Sequence, residues 1–127
     1  MIDGDTYLID FLESSETIKV RLWGIDTPEK NQPFGMTAKN YCVDRYLNKT
    51  IDVNIKDVDR YGRTVAVLSL GKEIINEHLI KVGLAWDYHY YSKSEVYVNL
   101  QKLAMNNKAG LWIEAEPIKP RLWRKNH

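Results

Sequence analysis

The sequence predicts a mainly β chain with helices, an α+β fold whose strands suit a small Greek-key barrel of the OB type; an α+β sandwich fits the same pattern. Three observations carry this. Short β-rich segments come in pairs separated by polar turns. Helical spacing of apolar residues appears in three separate stretches between and after them. The length, 127 residues, suits one domain, and such a domain buries roughly two thirds of its unfolded-chain surface.

Residues 7–12 and 17–23 are rich in β-formers and flank a polar stretch at 13–16, so a hairpin is expected. The second strand breaks at Gly24 to Pro28, because Pro28 has no N–H and restricts Thr27. Over 34–47 the spacing of Met36, Tyr41, Val43 and Leu47 is helical, with Ala38 and Cys42 beside them. Residues 50–55 alternate as a strand, 64–70 form an apolar strand, and a charged turn lies between. Residues 72–82 make an amphipathic helix with Ile74, Ile75, Leu79 and Val82 on one side and Gly83 at its C-cap. A short strand is expected at 84–86. A third helix over 94–108 uses Val98, Leu100, Leu103 and Met105 and stops at Gly110. The tail after 117 carries two prolines and the basic residues Lys119, Arg121, Arg124 and Lys125. The expected barrel core is Leu8, Ile18, Val20, Leu22, Val53, Val65 and Val67, with Ile75 and Leu79 over one end.

Composition narrows the class. Hydrophobic residues are 44% and charged residues 28% of the chain, which disfavours disorder. Eighteen basic against seventeen acidic residues give +1, so the overall field does not announce a nucleic-acid partner, although a local cluster fits inside a balanced total. One cysteine, Cys42, excludes an intrachain disulfide and a multi-cysteine zinc site. It is expected as a buried small hydrophobe. No apolar run approaches the roughly 20 residues that span a bilayer.

Three clusters could carry chemistry. Asp3-Gly4-Asp5-Thr6 reads first as a plain turn, and second as a carboxylate at a strand mouth that holds a hard cation. Arg21 through Glu29 packs an arginine and two carboxylates around a forced chain break; alternation alone would set Arg21 and Asp26 on opposite faces, and Gly24 and Pro28 are where the chain can bend them together. Asp59-Arg60-Tyr61-Gly62-Arg63 reads as a hairpin tip, or as two guanidinium forks that fit a phosphate. Together they suit phosphodiester hydrolysis. Cations neutralise charge developing at phosphorus, and a carboxylate activates or positions water. His78, His89 and His127 are scattered, and oxygen ligands point to Ca²⁺ or Mg²⁺ rather than zinc.

These motifs carry a resemblance. The chain is similar to the staphylococcal nuclease (thermonuclease) family, the SNase-like OB-fold domain of the small bacterial type. The matching residues are 2–6, 20–29 and 59–63, with Gly83-Leu84-Ala85-Trp86 and Gly110-Leu111-Trp112 further on. The resemblance implies a five-stranded barrel capped by three helices, one domain over residues 1–127, and a Ca²⁺-dependent nuclease that cuts DNA and RNA and leaves 3′-phosphates. It implies Asp5 and Asp26 as metal carboxylates, with Thr27 lending its backbone carbonyl. Glu29 would activate the water, and Arg21 and Arg63 would grip the phosphate. Arg60, Tyr61, Tyr88 and Tyr91 are the expected substrate contacts. Trp23, Trp86, Trp112 and Trp123 are expected to pack rather than stack on bases. Members have a strand ahead of the Asp-Gly-Asp-Thr motif, where only Met1 and Ile2 stand here. A monomer is expected, in a secreted or cell-envelope setting. The alternative function is a non-catalytic nucleic-acid- or protein-binding OB module. Repeat domains of that kind typically lose the acidic residues, and this chain has Asp5, Asp26 and Glu29.

Overall fold

In the computed structural model, which describes residues 4–11, 14 and 16–127, the first two β-rich segments pair as an antiparallel hairpin. β1 (Thr6–Asp10) and β2 (Thr17–Leu22) run from Thr6 opposite Arg21 at the open end to Asp10 opposite Thr17. Thr17 Oγ1 donates to Asp10 Oδ1 at 2.5 Å beside the turn. Most of that expected turn, and the residues ahead of Gly4, lie outside the described residues.

The chain then leaves the sheet. β3 (Ile25–Asp26) pairs with β7 (Trp86–Asp87), far along the sequence. α1 (Gly35–Tyr46) leads to the antiparallel pair β4 (Asp52–Val58) and β5 (Thr64–Leu70), with a bulge in β4 between Ile55 and Asp57. β5 also accepts β2 in parallel, and the two-residue β6 (Glu73–Ile74) in antiparallel fashion. The result is a five-stranded mixed sheet with the path β1-β2-β5-β4 and β6 on β5. Then follow α2 (Ile75–Lys81), α3 (His89–Ser92), α4 (Glu95–Asn106), a 3-10 turn at Gly110–Ile113 and α5 (Pro120–Asn126). α1, α2 and α4 are the three helices that periodicity marks; α3 and α5 are short additions. The whole is an OB-like α+β fold.

Val20, Leu22, Ile25, Ala66, Leu68, Ile75 and Leu79 are completely buried between the sheet and α2. Asn76 is buried among them, and its amide spans two strands: Oδ1 accepts from Leu68 N–H at 3.1 Å, and Nδ2 donates to Trp23 O at 2.8 Å.

The core differs from the expected set in phase. Tyr7 is buried and Leu8 is 53% exposed, so β1 presents its odd positions inward. In β5 Ala66 and Leu68 are buried where Val65 and Val67 were expected; those valines are half-buried, as are Ile18 and Val53. α1 buries Ala38, Cys42 and Tyr46, an i, i+4 row, and leaves Met36 and Leu47 outside. α4 likewise buries Tyr97 and Ala104 and leaves Leu103 and Met105 outside. Close packing favours the small Ala38, Cys42 and Ala104 in these rows, beside the buried rings of Tyr46 and Tyr97.

Candidate active site

The first two sequence clusters meet at the open end of the β1–β2 hairpin. Asp5 immediately precedes β1, and its carbonyl accepts the Leu22 N–H at 2.8 Å. Arg21 sits opposite Thr6. The reversal that brings Asp26 to the same place occurs at Gly24, whose φ of +75° is open to glycine and costly for other residues. A Cβ there would also stand 3.0 Å from the Tyr97 ring.

Arg21 Nη2 is the meeting point, 3.8 Å from Asp5 Oδ2 and 3.6 Å from Asp26 Oδ1. Asp5 Oδ2 accepts the Thr27 N–H at 3.2 Å, and Oδ1 accepts from Thr6 Oγ1 at 3.2 Å. Asp5, Asp26 and Thr27 are all buried. Asp26 Oδ1 is buried with no hydrogen-bond partner among the described residues. Burial, and next the charge of Asp5, push the Asp26 carboxyl up to about 6; Arg124 and Arg21 act against that rise.

Glu29 follows in a tight loop. Its N–H donates to Gln32 Oε1 at 3.0 Å, and its carbonyl accepts the Gln32 N–H at 2.9 Å. α1 starts so close that a Cβ on Gly35 would fall 1.6 Å from the Glu29 carbonyl oxygen. Glycine at 35 is what lets the helix press against this loop.

Sequence reasoning missed the partner of Glu29. Arg124, on α5, brings Nη1 to 2.5 Å from Glu29 Oε1 and Nη2 to 3.3 Å from Asp26 Oδ2. The one signal was the basic run in the tail after Pro117, which reads as solvated charge. The site therefore sets three carboxylates, Asp5, Asp26 and Glu29, against two guanidiniums.

The third cluster is separate. Arg63 Nε pairs with Asp59 Oδ2 at 2.7 Å, and the Arg60 and Arg63 guanidiniums lie 5.1 and 5.8 Å from the Tyr61 ring centre. Tyr61 is 70% exposed at this tip. Slight burial pushes the Asp59 carboxyl up, but the Arg63 and Tyr61 N–H groups and the Arg63 guanidinium outweigh it and hold it below the usual range.

A cleft of about 240 Å³ opens beside Asp26, lined among others by Trp86, Tyr88, His89, Lys119 and Arg121. Of the two tyrosines expected to touch substrate, Tyr88 lines this cleft, whereas Tyr91 packs edge-on against Tyr88 at 4.9 Å. Tyr90 lines the cleft too. Trp112 is buried, Trp23 and Trp86 are half-buried in the packing, and Trp123 donates to Asn31 Oδ1 at 2.9 Å.

Among the described residues no three His, Cys, Asp or Glu side chains form a ready metal cluster. The donors nevertheless fit a hard cation. Asp5 and Asp26 with the Thr27 carbonyl are an all-oxygen set, the type that suits Ca²⁺. The buried Asp26 Oδ1 lacks a donor, and the site holds one more carboxylate than guanidinium. No helix of the described residues is long and apolar enough to cross a membrane.

The profile of the family described as staphylococcal nuclease homologue matches residues 19–114. An "uncharacterized endonuclease" of Haemophilus influenzae is 41% identical over 123 residues, 97% of this chain and 68% of that protein. An "uncharacterized endonuclease" of Escherichia coli is 34% identical over 98% of this chain and 80% of its own length. A "micrococcal nuclease" of Shigella flexneri is 36% identical over 98% of this chain and 77% of its own. With the profile spanning most of this chain and such relatives aligned over nearly all of it, the chain belongs to the staphylococcal nuclease homologue family.

Proposed function

We propose that the protein is a Ca²⁺-dependent nuclease that hydrolyses phosphodiester bonds of DNA, RNA or both. The observation that carries this reading is the meeting of Asp5 and Asp26 on Arg21, with Glu29 three residues beyond Asp26 in the same loop. Family membership and the nuclease names of the relatives support it.

In this reading Asp5, Asp26 and the Thr27 carbonyl hold the cation. When bound, it supplies positive charge against the phosphate oxygens and orients the substrate. The Glu29 carboxylate takes a proton from the attacking water as its oxygen approaches phosphorus. Arg21, already aimed at the carboxylate pair, donates its N–H groups to the oxygens that gain charge in the five-coordinate state. The bond to the 5′-oxygen then breaks, that oxygen takes up a proton from solvent to become a 5′-hydroxyl, and the other product keeps a 3′-phosphate.

Arg63 is assigned the second grip. Val65 stands opposite Arg21 in the parallel pair. Arg63 is two residues before Val65, so alternation gives it the same face as Val65, about 8 Å along the sheet from Arg21. Moving from Asp59 to a bound phosphate exchanges one charge-assisted hydrogen bond for another. Tyr88 and the cleft beside Asp26 offer the flank for a base, with Arg60, Tyr61 and Tyr91 further out.

The test is incubation of DNA and RNA oligonucleotides with the purified protein in Ca²⁺, without it, and with chelator. Cleavage that needs Ca²⁺ and leaves 3′-phosphate ends is expected. Oligonucleotide binding without cleavage under all three conditions would overturn the reading in favour of a binding module.

A further inference from the structure

α5 is fastened over the loop that carries Asp26, Thr27 and Glu29. Gln32 Nε2 donates to Ile118 O at 2.5 Å, and Trp123 Nε1 donates to Asn31 Oδ1 at 2.9 Å. Pro120, the first residue of the helix, is fully buried. These contacts set Arg124 over the loop, where its side chain, still 44% exposed, gives its two Nη groups to different carboxylates, Glu29 through Oε1 and Asp26 through Oδ2. A guanidinium is a rigid plane, so one fork engaged at both ends sets the separation of its two acceptors. The oxygens of Asp26 are divided between two arginines: Oδ2 faces Arg124 and Oδ1 faces Arg21.

We propose that Arg124 is a positioning residue of the active site: it holds the Asp26 and Glu29 carboxylates at a fixed spacing, which makes α5 part of the catalytic apparatus. The role given to Glu29 rests on the nuclease reading. Arg124 acts through these carboxylates and not on the substrate. Two consequences follow. Lysine keeps the charge but cannot span both acceptors, so it restores little of the positioning. A positive group 3.3 Å from Asp26 Oδ2 also opposes a cation on the same carboxylate, and this effect is independent of catalysis.

The test uses the full chain with Arg124→Ala and Arg124→Lys, each checked for a cooperative thermal melt. Arg124→Gln, which keeps most of the stem, carries the same expectations should Arg124→Ala not fold. Steady-state cleavage of a short DNA oligonucleotide at saturating Ca²⁺ is measured in wild-type and Glu29→Gln backgrounds, and Ca²⁺ binding is measured by calorimetry without substrate. Arg124→Ala is expected to lower kcat by about 10- to 100-fold, as loss of a group that orients a site residue does, with little change in KM. Arg124→Lys recovers less than half of that loss. In the Glu29→Gln background the Arg124→Ala change costs distinctly less than in the wild type, because only Asp26 is left for it to position. Ca²⁺ binds Arg124→Ala about fivefold more tightly than wild type, and Arg124→Lys much as wild type.

The proposal is overturned if the Arg124→Ala and Glu29→Gln losses multiply, or if Arg124→Ala binds Ca²⁺ no more tightly than wild type. A wild-type chain that binds Ca²⁺ without cleaving defeats the nuclease reading and leaves the calorimetry to decide this one. A chain that neither cleaves nor binds Ca²⁺ defeats both.

Discussion

Arg63 Nε rests on Asp59 Oδ2 at 2.7 Å, across a turn whose backbone the same carboxylate organises. Asp59 Oδ1 accepts the N–H groups of Tyr61 and Arg63, each at 2.9 Å. One side chain thus shapes the turn and holds the arginine assigned to the phosphate. Asp59→Asn keeps an oxygen acceptor for the turn and removes the charge that competes for Arg63. Binding of a nucleoside 3′,5′-bisphosphate, which has no internucleotide bond to cleave, should tighten by about fivefold. Unchanged affinity in a titration would show that Arg63 does not reach the substrate.

The two aspartates give opposite acid dependences. Asp59 is held below the usual range, so its contribution to stability is present at neutral pH and lost as the pH falls through its depressed value. Asp26 is pushed up to about 6 in the metal-free chain, so its folded form favours the proton. That contribution is full below the ordinary carboxylate value of about 4 and is lost as the pH rises through 6. Asp26→Asn should therefore raise the melting temperature of the metal-free protein at pH 7 by about 5 °C per kcal/mol relieved. The gain should vanish near pH 4, and Ca²⁺ binding should weaken. A variant that melts below wild type at pH 7 would contradict this electrostatic account.

Asn76 locks α2 to the sheet by two strong bonds from one buried amide. Asn76→Ala leaves the Leu68 N–H and the Trp23 carbonyl without that partner and opens a small void. The expected cost is about 2–4 kcal/mol in urea unfolding, with the slope unchanged. A cost under about 1 kcal/mol would mean that the backbone groups find other partners.

How much of this was legible in the sequence depends on whether a residue's role is local. The strands at 17–22 and 64–70 and the helices after 34, 72 and 94 announce themselves by spacing, because propensity and burial act over a few residues. Gly24 announced the bend that joins Arg21 to Asp26 for the same reason; Pro28, also expected there, lies beyond Asp26. Strand phase was not legible where both faces are apolar. In Thr64–Leu70 the valines outrank Ala66 in hydrophobicity, but α2 approaches so closely that Ala66 and Leu68 take the inner face. In β1 Tyr7 is buried and Leu8 exposed. Arg124 could not be found from spacing, since 95 residues separate it from Glu29 and α5 is only seven residues long. It is placed by the buried Pro120 and by Trp123 on Asn31, and those contacts exist only once the loop and the tail are folded together.

Arg21 and Arg63 should separate charge from geometry. Lysine keeps the charge in either place but cannot hold two phosphate oxygens at once. Arg63→Lys should lose most of the activity, roughly 10²-fold or more in kcat, as for other donors that meet developing charge. Arg21→Lys should lose as much and also weaken bisphosphate binding, because Arg21 stands between the Asp5 and Asp26 carboxylates. Arg60→Lys should cleave nearly as wild type, since its contacts are with Tyr61 at the exposed tip. Equal tolerance at all three positions in the oligonucleotide assay would remove the arginines from the mechanism.

The most direct measurement is the turnover of Glu29→Gln on a short oligonucleotide at saturating Ca²⁺, paired with its affinity for the nucleoside bisphosphate. Glutamine keeps the size of the side chain and a carbonyl oxygen for Arg124, but it cannot take a proton from water. Turnover is predicted to fall by about 10²- to 10⁴-fold while bisphosphate affinity hardly changes. A Glu29→Gln protein that cleaves at the wild-type rate would contradict the assignment of water activation to Glu29 and, with it, the hydrolytic role given to this site.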